Sequence, residues 1–306
     1  MDKIPLIAVV GPTASGKTKL GVSIAELVCG EVVSADSMQI YKDMPIASAV
    51  PSEAEKRGIP HHLIEFLEYG ERFSVSDYVN LANKTIKDII SRNTMPILVG
   101  GTGLYVNSLV DGVEFVEAEV DEKLRQSLSE QFDNIGAEEM LKKLAEFDED
   151  TARRLNTGDK RRIIRAFEVY LTTGITVSKQ NELSKQKGSA YKSLLIGITY
   201  KDRQKLYERI EKRVDLMLEN GLLEEAYQSF CKNVNSSSAQ AIGHKEFYPY
   251  FKGEQGLEES VQKLKTETRR YAKRQLTWFN KRDDVNWIYA DECDTFEAAK
   301  KILENF

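Results

Sequence analysis

The sequence predicts an α/β fold: a parallel sheet flanked by helices, interrupted by an inserted all-helical domain. Three observations carry that prediction. Residues 4–10 (IPLIAVV) form a short, β-branched apolar run with no polar alternation, as a strand buried on both faces requires. Similar runs return at residues 31–36, 95–100 and 194–199, separated by helical stretches, which is the rhythm of βαβ units. Between residues 113 and 193 no strand-like run occurs, and the apolar residues there recur at helical spacing. The core is therefore assigned to residues 1–112 and 193–306, and the insertion to 113–192.

The first strand runs directly into Gly11-Pro-Thr13-Ala14-Ser15-Gly16-Lys17-Thr18 and then a helical stretch. Strand, G-x-x-x-x-G-K-T and helix together are a P-loop in its required setting. Gly11 and Gly16 permit the tight turn that aims consecutive N–H groups into one concavity at a helix N-terminus, a natural phosphate cradle. Lys17 adds positive charge, and the Thr18 hydroxyl is suited to Mg²⁺. The core therefore reads as P-loop NTPase-like, binding a di- or triphosphate.

The second strand ends on Asp36, at the carboxyl edge of the sheet beside the P-loop, and Ser37-Met38-Gln39 continue as a polar lip. Asp36 and Ser37 could equally cap a turn. Ser52 is a helix N-cap signal; His61 and His62, adjacent in an extended stretch, point in different directions and make a poor metal pair. A helix is expected from Ser74 to Ile90. The strand at 95–100 ends in Gly100-Gly101-Thr102, where an ordinary nucleoside triphosphatase would carry an Asp or Glu.

The insertion opens acidic, with Glu114, Glu117, Glu119, Asp121 and Glu122. It turns basic at Arg153, Arg154, Lys160, Arg161, Arg162 and Arg165, a density that points to nucleic acid. Residues 179–192 read as a polar return linker. Past the returning strand, a helix over 202–218 carries Arg209 and Arg213 one turn apart, planar donors suited to oxyanions unless they pair with Glu208 and Glu211. Gly243 opens a turn into another helix. Residues 266–279 interleave Arg269, Arg270, Lys273 and Arg274 with Tyr271, Trp278 and Phe279, a composition that can contact phosphates and stack on bases.

Composition narrows the class. Hydrophobic residues at 41% and charged residues at 30% suit a globular protein, and basic patches sit on a chain of net charge −5. Cys29, Cys231 and Cys293 are odd in number and far apart, so neither a disulfide framework nor a zinc site is expected. No apolar run approaches the ~20 residues of a membrane span. A cytoplasmic protein without membrane contact is expected.

Several motifs occur in one order: the P-loop, Ser34-Ala-Asp36-Ser37-Met-Gln39-Ile-Tyr41, Gly58-Ile-Pro-His-His62, Gly100-Gly-Thr102-Gly-Leu-Tyr105, Arg162-Ile-Ile-Arg165, Arg209 with Arg213-Val-Asp, and Arg274-Gln-Leu-Thr-Trp278-Phe. In this order they resemble the bacterial tRNA dimethylallyltransferases, also called tRNA isopentenyltransferases, over nearly the whole chain. The resemblance implies transfer of a dimethylallyl group from dimethylallyl diphosphate to N6 of adenosine-37 in tRNAs reading U-starting codons. It implies Mg²⁺ as cofactor, the anticodon stem-loop as partner, and a monomer.

By that resemblance Asp36 is the general base, with Thr102 and Lys17 at the reaction centre. The diphosphate falls to Gly11, Thr13, Ala14, Ser15, Gly16, Lys17, Thr18, Arg209 and Arg213. The tRNA falls to Asp36, Ser37, Met38, Gln39, Thr102, Arg125, Arg161, Arg162, Arg165, Gly243, Arg269 and Arg274. Two stretches depart from the family pattern: Pro45-Ile-Ala47-Ser48-Ala49-Val50 stands for Asp-Ile-Gly-Thr-Ala-Lys, and Lys160-Arg161 stands for Pro-Gln. The rival readings are an ATP-using small-molecule kinase, a prenyltransferase of free adenine nucleotides, and an RNA-binding module with a decayed site. The Gly-Gly-Thr strand end, the basic surfaces, and the intact Lys17, Thr18, Asp36 and Thr102 weigh against them in turn.

Overall fold

The computed structural model describes residues 3–113, 115, 121–232 and 238–306. Glu114, Glu117 and Glu119 of the acidic stretch lie outside the described residues. Contacts divide the chain into two compact units, residues 1–110 with 191–306, and residues 111–190.

The first unit begins with β1 (Ile4–Val10), α1 (Lys17–Val28), β2 (Gly30–Ser34), α2 (Pro45–Ser48), α3 (Glu53–Lys56) and β3 (His61–His62). It continues through α4 (Val75–Ser91), β4 (Met95–Gly100) and α5 (Gly103–Val110). The sheet is parallel throughout, in the order β3-β2-β4-β1-β5-β6, with β5 (Tyr191–Thr199) and β6 (Val285–Tyr289) supplied after the second unit. The register sets Val10 beside Gly100 on one side and Gly197 on the other. One face of the sheet (Ile7, Val9, Ile97, Ile196, Ile198) packs against Leu20 and Ile24 of α1 and Ala299 of a C-terminal helix. Helix α4 packs on β2 and β4, and α5 on β4. Burial on both faces accounts for the unbroken apolar runs in these strands. Ser52 and Ser74 each close a full capping box, at α3 and α4.

The second unit is helical: α6 (Glu122–Ile135), α7 (Ala137–Ala145), α8 (Glu149–Arg154), α9 (Lys160–Thr173) and α10 (Val177–Lys187). Its own core gathers Leu128, Met140, Leu144, Ile163 and Phe167, and Phe147 stacks on Tyr170 at 4.2 Å. Helix α10 corrects the linker expected over 179–192. Thr176 caps it by accepting the Lys179 N–H at 3.2 Å, and Lys, Gln, Glu and Leu are good helix formers even where few apolar residues reveal a period.

The first unit ends with α11 (Arg203–Glu219), α12 (Leu222–Lys232), α13 (Tyr248–Phe251), α14 (Leu257–Phe279) and α15 (Thr295–Leu303). Among the described residues, no helix is long and apolar enough to cross a membrane, and the three cysteines are free and exposed.

Candidate active site

Three loops leave the carboxyl ends of adjacent strands β1, β4 and β2, at the edge where open α/β sheets bind ligands. The loop after β1 is the phosphate cradle. Gly11 has φ +144°, and a Cβ there would overlap the Ile198 carbonyl, so only glycine fits. Ala14 and Gly16 also have positive φ, at 62° and 102°, and turn the amides inward ahead of α1. Lys17 Nζ donates to the Pro12 carbonyl at 2.6 Å, across the mouth of the loop. Burial lowers its pKa to about 7, partly offset by Asp36 and reinforced by Arg213. Among the described residues the buried Ser15 hydroxyl has no hydrogen-bond partner.

The loop after β2 carries Asp36. Its Oδ1 accepts the Met38 N–H at 2.9 Å, so the turn role weighed for this residue is real. Among the described residues its second carboxylate oxygen has no hydrogen-bond donor. The loop after β4 holds this segment: Thr102 Oγ1 accepts the Ser37 N–H at 3.0 Å and donates to Ser37 Oγ at 3.3 Å, while Thr102 N–H donates to the Ala35 carbonyl at 3.1 Å.

Two helices complete the site. On α11, Arg213 lines a cavity of about 260 Å³ together with Asp36, Thr13, Met38, Tyr271 and Arg274. Burial lowers the Arg213 pKa, with Asp36 acting against that shift. Arg209 Nε donates to the Ala14 carbonyl at 3.0 Å, bracing the P-loop, and its guanidinium lies over Tyr200. Neither arginine forms the surface pair with Glu208 or Glu211 that the sequence left open; Glu211 instead takes Arg269. On α14, Arg274 stacks on Tyr271, and burial pushes the Tyr271 phenol well above its usual range.

Sequence reasoning gave Gln275 no site role and read Tyr271 only as an aromatic able to stack on bases. Gln275, 5% exposed, accepts the Thr13 N–H at 2.8 Å and donates to the Gly101 carbonyl at 3.0 Å, joining the P-loop to the β4 loop. Tyr271, one turn earlier, contacts Thr102 and Gln275. Their i, i+4 spacing inside a helix that reads as basic was the available signal.

The remaining expected contacts are distributed unevenly. Met38 faces the cavity. Gln39 is committed internally: its amide donates to the Ser48 and Ala49 carbonyls at 3.3 and 3.0 Å and accepts from Ser34 Oγ at 2.9 Å. Gly243 is buried, and Arg269 is held by Glu211 and Thr266. In the helical unit, Arg125 and Arg165 both grip the buried Glu168, Arg162 pairs with Asp159, and Arg161 is exposed with no ion-pair partner among the described residues.

His61 and His62 are structural: His61 Nδ1 contacts the Ile59 carbonyl at 2.8 Å, and His62 Nε2 contacts Glu31 at 2.7 Å. Among the described residues no group of three or more His, Cys, Asp or Glu side chains is arranged to hold a metal ion. The Thr18 hydroxyl, free of hydrogen bonds within the described residues, is one hard oxygen donor. That fits Mg²⁺ held jointly with diphosphate oxygens and water, the ion's usual preference.

Comparison with known proteins meets this geometry. The family model described as IPP transferase matches residues 39–282, and that described as isopentenyl transferase matches residues 4–68. The tRNA dimethylallyltransferase of Caldanaerobacter subterraneus is 44% identical over 97% of this chain and 96% of its own length. That of Bacillus subtilis is 44% identical over 98% and 95%. The crystal structure of a full-length tRNA isopentenylpyrophosphate transferase from Bacillus halodurans superposes with TM-score 0.72 at 40% identity, covering 99% of this chain and 94% of that one. A eukaryotic dimethylallyltransferase acting on tRNA superposes with TM-score 0.82 at 28% identity, over 98% and 78%. A P-loop whose neighbouring strand ends in Gly-Gly-Thr beside an aspartate, matched end to end by these relatives, belongs to a member of the tRNA dimethylallyltransferase (IPP transferase) family.

Proposed function

We propose that this protein transfers a dimethylallyl group from dimethylallyl diphosphate to N6 of adenosine-37 in tRNAs reading U-starting codons, releasing diphosphate. The observation that carries the mechanism is that Asp36, with one unshared carboxylate oxygen, lines the same cavity as Arg213 and the P-loop residue Thr13.

N6 of adenine is a weak nucleophile because its lone pair is delocalised into the ring. Attack on C1 therefore depends on stabilising the diphosphate as the C1–O bond breaks and the electron pair leaves with oxygen. The loop amides, Lys17 and Arg213 are set where that charge accumulates, and bound Mg²⁺ on the Thr18 hydroxyl would add Lewis-acid stabilisation of the same leaving group. The N6–C1 bond forms while the free oxygen of Asp36 orients N6 and accepts its proton. Thr102 fixes that aspartate by holding Ser37. A phosphate cradle thus serves a leaving group instead of a transferred phosphoryl.

Adenosine-37 must leave its stack to reach Asp36, at a cost of a few kcal/mol that contacts along the anticodon stem-loop offset. Arg274 and the exposed Trp278 on α14, and Arg161 on α9, are free to make such contacts. Arg125, Arg162 and Arg165 would exchange acidic partners for phosphates. One chain carries every residue named, so a monomer suffices.

Mass spectrometry of unmodified tRNA incubated with the protein, dimethylallyl diphosphate and Mg²⁺ tests the reading. One C5 unit on the adenosine 3′ to the anticodon, with ATP neither helping nor replacing the donor, is expected. Prenylation of free AMP and not tRNA would select the nucleotide prenyltransferase, and ATP consumption without prenylation the kinase.

A further inference from the structure

Away from the phosphate cradle, a buried acid and a buried imidazole meet without any part in the chemistry above. Glu225 on α12 is 8% exposed. Its Oε2 accepts the Ile46 N–H at 2.7 Å and its Oε1 the Ala47 N–H at 2.9 Å. His244 is fully buried, with Nε2 at 2.8 Å from the same Oε1 and an Nδ1 that has no partner among the described residues. Nε2 faces a carboxylate oxygen, so it carries the proton and donates.

The four residues of α2 are too few to hold a helix by themselves. Pro45 has no N–H, so Ile46 and Ala47 present the first free amides of α2, and Glu225 takes both. The turn that supplies His244 is set against α2 at Gly243, whose φ is +108°. A Cβ there would lie 3.1 Å from Ala47 Cβ. Glu246, 1% exposed, locks the turn by accepting the Gly243 N–H at 2.8 Å.

Both tied segments are walls of the reaction cavity. Ala47 and Ser48 line one side, and Ala241, Ile242 and Lys245 another. The tie also runs on to the base. The Ser48 and Ala49 carbonyls hold the Gln39 amide, and Gln39 follows the turn in which Met38 N–H is bound to Asp36. Burying an acid and an imidazole has a desolvation cost that apolar packing avoids, so what the pair returns is a fixed geometry.

We infer that Glu225 and His244 are positioning residues for the transfer: together they set the separation of the two cavity walls and, through α2 and Gln39, the aim of Asp36. The inference rests on Asp36 being the base that receives the N6 proton.

Glu225→Gln presents an NH₂ to one of the two backbone amides. His244→Leu removes the donor, and His244→Gln restores one. Each variant is assayed for transfer to tRNA, for affinity for dimethylallyl diphosphate without tRNA, and for amide hydrogen exchange. Glu225→Gln and His244→Leu should lose tenfold or more in kcat with diphosphate affinity within twofold, and His244→Gln should recover to within threefold of wild type. Exchange should rise at residues 36–39 and 46–49 but not in α1.

Equal losses of kcat and diphosphate affinity, or no rescue by glutamine, would overturn the inference. So would unchanged exchange at residues 36–39, a result readable even if the wild-type protein fails to transfer. That last failure would count against the transferase reading itself.

Discussion

Lys17 makes a pH-dependent prediction that can be worked from the structure. Without ligand, burial brings its pKa to about 7, so at pH 8 most molecules carry a neutral amine in the cradle. A bound diphosphate is an adjacent anion and must raise that pKa. Protons are then bound more tightly in the complex than in the free protein, so affinity is fully expressed below pH 7. It falls as pH rises from 7 toward the pKa of the complex. The slope approaches tenfold per pH unit, and binding at pH 8 should take up roughly nine-tenths of a proton at Lys17.

Calorimetric titration of dimethylallyl diphosphate without tRNA, in two pH 8 buffers of different ionisation enthalpy, reads that uptake directly. Lys17→Arg supplies the control, since a guanidinium stays protonated; the difference between the two proteins removes the ligand's own ionisation. Equal proton uptake by wild type and Lys17→Arg would refute the reasoning, because uptake at Lys17 requires both the low pKa and a diphosphate close enough to raise it.

Three other perturbations probe neighbouring parts of the molecule. Asp36→Ala should abolish transfer while leaving tRNA affinity, measured by filter binding, within a few-fold. Gln275→Met keeps the volume but strands the buried Gly101 carbonyl, at about 1–3 kcal/mol, and the half-buried Thr13 N–H; urea titration should show the loss together with weaker diphosphate binding. Arg92→Leu tests the sheet edge. Arg92, opposed by burial and helped by His62, holds the Glu31 carboxyl down at about 2 against its usual 4.5. That contribution is present above about pH 4.5 and is lost as pH falls toward 2. The variant should be less stable than the wild type at pH 7, and the gap should narrow at pH 3.

How much of this was legible beforehand depends on the range over which each interaction acts. The P-loop, the parallel strands and the cap at Ser52 are decided by residues within a few positions of one another. Spacing and residue type therefore determined them, and the chain order of the motifs pointed to the family. Helix α10 escaped the same reasoning because a helix without an apolar stripe leaves only propensity and a Thr cap as signals.

Tertiary structure alone decided which charges are already spent. Arg209 and Arg213 are equivalent by spacing, yet one braces the Ala14 carbonyl while the other enters the cavity. Arg165 reaches the buried Glu168 from one turn away, but Arg125 reaches the same carboxylate across 43 positions, a meeting no local pattern encodes. Gln275 reaches Thr13 across 262 positions, and Glu225 reaches Ile46 across 179. Such contacts depend on where distant backbone groups are left without partners. Only the packed chain determines that, because a buried N–H or carbonyl must be matched wherever the fold happens to put it.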